Sequence, residues 1–120
     1  MNINEIIERV FKDFEYDGEV IPVNPYSYDG EASTYLVYYT YLDQPEGFAN
    51  DLPIVEGTYG TIDIFTKKDF KELKNIVKRK IVKECGFTWL QDGLEDFEED
   101  TKLYHIPIDF FVESSVTFLD

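Results

Sequence analysis

The chain has 120 residues, a net charge of −14 and an apolar content of 43%, which suits one hydrophobic core and leaves no room for several domains. The acidity argues against direct or sequence-specific binding to nucleic acid, because binding to phosphates needs a net basic face. The single cysteine, Cys85, excludes an internal disulfide and indicates a reducing compartment, and the absence of an 18-residue apolar run excludes a membrane span. The start of the chain lacks the pattern of a secretory signal, so we expect one domain over residues 1–120, made in the cytoplasm.

The first predicted element is an amphipathic helix over residues 2–14. Its apolar side chains repeat with the spacing of one helix face: Ile3, Ile6, Ile7, Val10, Phe11 and Phe14. Asn2 followed three positions later by Glu5 indicates a capping interaction at the start of this helix.

Two strands and two loops are predicted next. Glu19–Val23 is a short strand candidate, and Thr34–Leu42 is a strand so rich in aromatic residues that we expect neither face to lie in bulk water. Asn24–Ser33 contains turn-forming residues and is predicted to be a loop. Gln44–Pro53 is predicted to be a long connection, a kind of loop that is usually functional in compact domains.

Ile54–Thr66 is predicted to be the next strand. Gly57 and Gly60 indicate a bulge or a close approach of another backbone within it. Alternation places Ile62 and Ile64 on one face and their neighbours on the other.

A second helix is predicted from about Lys67 to Cys85. Its core stripe comprises Phe70, Leu73, Val77 and Ile81, with Ile76 on the flank. Thr66 is the predicted cap, and Gly86 is the predicted stop at the carboxyl end.

The last third of the chain contains two predicted strands. Phe87–Leu90 is the first, and Asp92–Asp100, with six acids in nine residues, is predicted to be a solvated turn. Thr101–Glu113 alternates clearly, so it is predicted to be the second strand. Because Pro107 cannot donate a hydrogen bond, we expect this strand to lie at a sheet edge or to be bulged at that residue.

The order of these elements predicts an α+β fold. We expect an antiparallel or mixed sheet of about four to five strands, with two helices packed on one face.

The charges are divided unequally along the chain. Eight of the 11 Lys and Arg residues lie in Lys67–Lys83, which has a net charge of +6, so the other 103 residues sum to −20. A solvated helix face is the simplest interpretation. The alternative is a contact between subunits, in which the basic helix of one copy meets the acidic run of the next. The candidate contact residues are Lys67, Lys71, Lys74, Lys78, Glu95, Glu98, Glu99 and Asp100.

No residue pattern predicts catalysis, a metal site or a cofactor. Cys85 and His105 are the only thiol and imidazole, but Cys85 ends a helix, where a thiolate is disfavoured, so we expect it to pack as a small apolar residue. His105 lacks the further ligands of a zinc site and is expected to be hydrogen-bonded or to lie at an interface. The acidic run does not match the calcium-loop pattern. We therefore expect a protein that is not an enzyme.

The order of motifs from Thr34 onward resembles a known family. The strand Thr34–Tyr39 is followed by Gly57–Phe70, which reads GTYGTIDIFTKKDF, and then by a Lys-rich helix that ends at Cys85-Gly86-Phe87. An acidic stretch then leads through Tyr104-His105 into Phe110-Phe111. Over residues 34–113 the chain resembles the tail terminators, small tail-completion or neck proteins of long-tailed bacteriophages and prophages.

The resemblance implies a virion structural protein with helices on one side of a sheet. Such proteins form a ring, typically a hexamer, that caps the tail tube, ends its polymerisation and joins the tail to the head connector. The implied partners are further copies of the chain, the tail tube protein and a head-closure or connector protein. The implied location is the head-proximal end of the tail in the virion, and the host cytoplasm before assembly. The loop Gln44–Pro53, with Phe48 at its tip, is the candidate arm that reaches a neighbour or the tube.

Two other functions remain open. Another head–tail connector or head-closure component would share the virion context and bind on the portal side. An acidic DNA mimic or host-enzyme inhibitor would explain the charge of −14, but the contiguous basic helix argues against it.

Overall fold

The computed structural model describes residues 2–40, 44–46 and 54–117, and of residues 44–46, 54–56 and 114–117 it describes the backbone alone. The helices and strands follow in chain order: α1 (Ile3–Val10), β1 (Glu15–Tyr16), β2 (Glu19–Val20), β3 (Val23–Pro25), β4 (Thr34–Thr40), β5 (Gln44–Glu46), β6 (Ile54–Thr66), α2 (Lys71–Arg79), β7 (Thr88–Asp92), β8 (Asp96–Glu98) and β9 (Leu103–Thr117). A π-helical turn, Lys80–Glu84, continues α2.

The side chain of Asn2 caps α1. Its Oδ1 accepts hydrogen bonds from the backbone N–H groups of Asn4 and Glu5, at 2.9 and 3.4 Å. The predicted cap is therefore confirmed. The helix ends earlier than predicted, and Asp13 beyond it has a φ of 55°, which a right-handed helix does not contain.

Seven strands form one mixed sheet. Five of them lie in the order β3–β4–β6–β9–β7, while β5 pairs with β6 and β8 pairs with β9. β3 and β4 are parallel, and the other described pairs are antiparallel. β1 and β2 pair separately. The predicted α+β class is confirmed. The sheet is larger than predicted because β3, β5 and β8 have three residues each, too few for an alternating pattern.

Both helices pack on one face of this sheet, as predicted. A single core joins α1, α2 and the inward residues of β4, β6 and β9: Ile6, Ile7, Leu36, Tyr38, Ile62, Ile64, Leu73, Val77, Ile81, Ile106, Ile108 and Phe110. Each aliphatic side chain buried here stabilises the fold by roughly 1.5–3 kcal/mol. Among the described residues, no helix is long and apolar enough to cross a membrane.

Of the two predicted ends of α2, the carboxyl end is confirmed and the amino end is wrong. The expectation that Thr66 caps the helix is wrong: Thr66 ends β6, and its hydroxyl lies 2.8 Å from that of Thr34. The helix begins after Phe70, which makes no capping hydrogen bond through its side chain. At the other end the predicted stop is confirmed, because Gly86 adopts the left-handed conformation with a φ of 75°.

The β6–β9 ladder is the longest feature of the sheet. It contains 13 paired positions, with a bulge between Glu56 and Gly57 where one was predicted. A Cβ atom at Gly60 would lie 2.9 Å from the backbone oxygen of Tyr39 in β4, which confirms the predicted close approach of another backbone. β4 pairs only with Gly60–Thr66, so the other half of the ladder extends past it. The molecule is correspondingly elongated, at 53 × 28 × 24 Å.

Pro107 lies in an internal strand, so the edge position predicted for it is wrong. β9 has β6 on one side and both β7 and β8 on the other. The carbonyl of Pro107 accepts a hydrogen bond of 2.7 Å from Gly93 N, in the connection between β7 and β8. In an antiparallel ladder the nitrogen and carbonyl of one residue point to the same neighbour. The proline nitrogen therefore faces this connection, and the ladder to β6 loses no hydrogen bond.

The irregularity predicted at Pro107 falls in the partner strand. Asp92 pairs with Ile108 and Asp96 pairs with His105, so three residues, 93–95, oppose two. Residues 88–98 thus form one edge strand with a bulge opposite Pro107, which we call the bulged edge.

Two predicted loops contain complete strands, and the first two residues of a third, Asn24 and Pro25, belong to β3. The backbone of residues 44–46 pairs with β6, and residues 47–53, including Phe48, lie outside the described residues. The acidic stretch Asp92–Asp100 contains β8, which pairs with β9. Both errors have one cause: the sequences of β5 and β8 are polar, and only pairing with a long neighbouring strand makes them extended.

Candidate interaction surface

The basic helix and the acidic run meet within one chain. Lys74 Nζ lies 3.0 Å from Glu95 Oε1 and 3.5 Å from Asp92 Oδ2, and Lys78 Nζ lies 3.3 Å from the same Asp92 oxygen. Trp89 Nε1 donates a 3.0 Å hydrogen bond to the other oxygen of Asp92. Lys78 Nζ also lies 4.3 Å from the centre of the Trp89 ring, a cation–π contact.

These contacts set the protonation of Asp92. Burial alone would raise the pKa of its carboxyl, but the hydrogen bonds from Trp89 and Lys78 and the charges of Lys78 and Lys74 outweigh it, so the pKa lies below its ordinary value. Asp92 therefore remains charged and ties the bulged edge to α2.

The remaining predicted contact residues are distributed over the surface. Among the described residues, no ion pair reaches the exposed side chains of Lys67 and Lys71. Glu98 accepts a hydrogen bond from Thr101, and Glu99 pairs with Lys102 at 3.2 Å. Asp100 is exposed. The structure thus brings together Lys74, Lys78 and Glu95, and leaves the rest of the predicted set at the surface.

The face of the sheet opposite the helices, the open face, carries a row of stacked rings that the sequence did not predict. The rings of Tyr28, Tyr35, Phe65 and His105 follow one another at centroid distances of 4.4, 4.9 and 4.5 Å. The row crosses the sheet because Tyr35 pairs with Phe65, and Phe65 with His105, directly across the strands. Alternation alone places Phe65 and His105 away from the core; only the register makes them neighbours.

Asp63 is buried beside this row. Its Oδ1 lies 3.1 Å from His105 Nε2, but neither atom has a well-aligned hydrogen bond among the described residues. Tyr39 also hydrogen-bonds to the carboxylate. Burial raises the pKa of Asp63, and His105 offsets this only in part. No pattern in the amino-acid sequence indicated a role for Asp63.

A second polar group on the open face is centred on Asp109. Thr61 donates a hydrogen bond of 2.9 Å to Asp109 Oδ1, and Gln91 donates one of 3.0 Å to Oδ2. Asp63 and Asp109 thus both have protein partners, and they link β6, β7 and β9.

Cys85 and His105 lie on opposite faces of the sheet. Cys85 packs against the core on the helical side, and burial raises the pKa of its thiol to about 11. His105 stacks on Phe65 on the open face. Within the described part of the chain, no three acidic, histidine or cysteine side chains lie close enough to hold a metal ion.

No family model and no curated protein matches the chain. The geometry itself contains surfaces suited to binding other proteins: an acidic edge strand with exposed apolar residues, and a basic helix only partly neutralised by that edge.

Proposed function

We propose that this protein is a bacteriophage structural protein that forms a ring at the head-proximal end of the tail. The ring would cap the tail tube, stop its polymerisation and join it to the head connector. The observation that carries the proposal is the order of motifs over residues 34–113, which resembles that of tail terminators.

The fold agrees with the architecture that this resemblance implies. Both helices lie on one side of the sheet and share one core with it. The β6–β9 ladder, with β5 alongside, extends past β4 and makes the molecule nearly twice as long as it is wide. An extension of this kind can reach a neighbouring subunit or the end of a tube.

The charge distribution is also suited to a ring through which DNA passes. A net charge of −14 disfavours sticking to a polyanion in the bore. Ring closure requires that two different patches of each subunit meet. The basic residues of α2 that pair with no acid among the described residues can serve as one of them.

Native mass spectrometry of the purified chain, alone and with tail tube protein, tests the proposal. We expect a hexamer, formed by the chain alone or on the tube. Lys71→Glu should weaken this assembly, because Lys71 is exposed and no described acid pairs with it. Lys12→Glu is the matched control, since it makes the same charge change at an exposed residue outside α2.

Binding to purified partners separates the tail terminator from another neck component. A tail terminator should bind the tube protein more tightly than portal or adaptor protein, and a head-closure protein should show the reverse order. A chain that stays monomeric and binds neither partner would contradict the proposal.

A further inference from the structure

Exposed apolar side chains concentrate around the bulged edge. Among the described residues, eight large apolar side chains are exposed, and six of them lie between residues 82 and 104: Val82, Trp89, Leu90, Leu94, Phe97 and Tyr104. Single exposed apolar residues are ordinary, but such a group marks a protein contact.

The bulge itself produces part of this exposure. Gly93 packs against the ring of Pro107, where a Cβ atom would lie 2.7 Å from Pro107 Cγ. The extra residue of the bulge turns Leu94 outward, so that its side chain is 89% exposed. β8 then resumes pairing with Phe97 opposite Tyr104.

A pocket lies where β8 meets the start of α2. It has a volume of about 280 Å³ and is lined by Phe70, Glu95, Asp96, Phe97 and Tyr104. The Tyr104 ring is tilted against both phenylalanines, at centroid distances of 5.4 Å to Phe70 and 5.0 Å to Phe97. Three rings around one space, with the acids Glu95 and Asp96 in its lining, form the environment that binds a cationic group.

Of these two acids, Glu95 is held in place through only one of its carboxylate oxygens. Lys74 holds Glu95 Oε1 at 3.0 Å, and in the described part of the chain no hydrogen bond reaches Oε2. A guanidinium fits such a site better than an ammonium, because it is planar, stacks on rings and binds carboxylate through parallel N–H groups.

The chain carries a suitable guanidinium at the other end of α2. Its two arginines are Arg9 and Arg79. Arg79 is exposed, and no ion pair holds it among the described residues. The exposed Val82 and Lys83 follow it in the π-helical turn. Phe70 and Arg79 are nine residues apart, about 14 Å along a helix, so Arg79 is remote from the pocket of its own chain.

We infer that Arg79 of one copy inserts into the pocket formed by Phe70, Phe97 and Tyr104 of a second copy. The exposed Leu94 and Phe97 of the second copy then pack against Val82 of the first copy. Glu95 of the second copy pairs with the guanidinium of Arg79. The inference rests on the self-association proposed above and names the contact that makes it.

Association constants of variants, measured by native mass spectrometry and light scattering, test this contact. Arg79→Ala should weaken association about 10- to 100-fold, the range of a central arginine in an interface. Arg79→Lys should restore it only in part. Arg9→Ala removes the same charge from an exposed residue of α1 and should leave association unchanged.

The pocket is tested by Tyr104→Leu, with Tyr26→Leu as the control at another exposed tyrosine. Tyr104→Leu should weaken association, and adding Arg79→Ala to it should have little further effect, since both changes remove the same contact. Circular dichroism checks that each variant is folded.

The outcomes separate this inference from the proposed function. One outcome is that the wild-type ring forms while Arg79→Ala weakens it no more than Arg9→Ala does. In that case the proposed Arg79 contact is wrong, and the proposed ring is unaffected. Independent, additive effects of Arg79→Ala and Tyr104→Leu would also overturn the contact. If the wild-type chain never associates, alone or with tube protein, both proposals fail.

Discussion

Two aspartates with opposite surroundings illustrate how residue-level electrostatics act in this protein. Asp63 lies under the rings of the open face, where burial raises its pKa. Asp92 lies between two lysines and Trp89, which hold its pKa below the ordinary value. Folding therefore favours the neutral form of Asp63 and the charged form of Asp92, and the two residues change stability with pH in opposite directions.

Asp63→Asn should remove a pH dependence of the free energy of unfolding. The folded wild type holds this proton more tightly than the unfolded chain, so its stability relative to the variant should fall as pH rises from about 3.8 through the raised pKa. Urea unfolding of both proteins over this range measures the difference. A difference that is constant with pH would contradict the assignment.

Asp92→Asn should show the reverse trend. At neutral pH the variant should be destabilised by about 1–3 kcal/mol, because it loses charged hydrogen bonds from Lys78. The loss should persist down to about pH 4 and shrink at lower pH, as the wild-type carboxylate takes up its proton. The same urea titrations measure this loss of stability. A loss that grows as the pH falls would refute the pairing of Asp92 with the lysines of α2.

At the scale of elements, the bulged edge depends on one contact between a glycine and a proline. Pro107 is accommodated in an internal strand because its nitrogen faces the bulge, and the bulge approaches closely because residue 93 lacks a side chain. The pair therefore sets where β7 ends, where β8 begins and how far Leu94 protrudes.

Gly93→Ala should destabilise the protein by about 1–3 kcal/mol, since the added methyl overlaps the Pro107 ring. In a Pro107→Ala background the same change should be less destabilising, because the ring atom at 2.7 Å is gone and only the Cβ atom, at 3.0 Å, remains. A double-mutant cycle by urea unfolding measures this coupling. Equal effects of Gly93→Ala in the two backgrounds would show that the ring is not the cause.

At the scale of the whole molecule, charge opposes the compact state. The net charge is −14, and the ion pairs within the chain, such as Lys74–Glu95, neutralise only part of the acid. Exposed pairs contribute at most about 1 kcal/mol each, whereas the repulsion between unpaired acids acts over the whole surface.

Raising NaCl from about 0.02 M to about 0.5 M should therefore increase the urea midpoint, because salt screens the repulsion over distances beyond the Debye length. Lys12→Glu, which makes the net charge more negative, should show a steeper increase. A midpoint that falls with salt would mean that the local ion pairs dominate instead.

The long elements were predictable because their patterns are local. The apolar spacing of α2 and the alternation of β6 and β9 require burial of one face, whatever the partner is, and the glycines at 57, 60 and 86 occupy the positions expected of them. The short strands β3, β5 and β8 were not predictable, since each becomes extended only by pairing with a long neighbour.

The charged residues of the candidate interface likewise have some features that are local in the sequence and others that depend on the tertiary structure. The amino-acid sequence alone determined that a basic helix and an acidic run exist, since charge is a property of composition. Only the tertiary structure decided that Lys74 and Lys78 meet Asp92 and Glu95 of their own chain, and that Phe70, Phe97 and Tyr104 surround one pocket. The physical reason is that these contacts depend on strand register and on a bulge opposite Pro107, and both arise from pairing between distant segments.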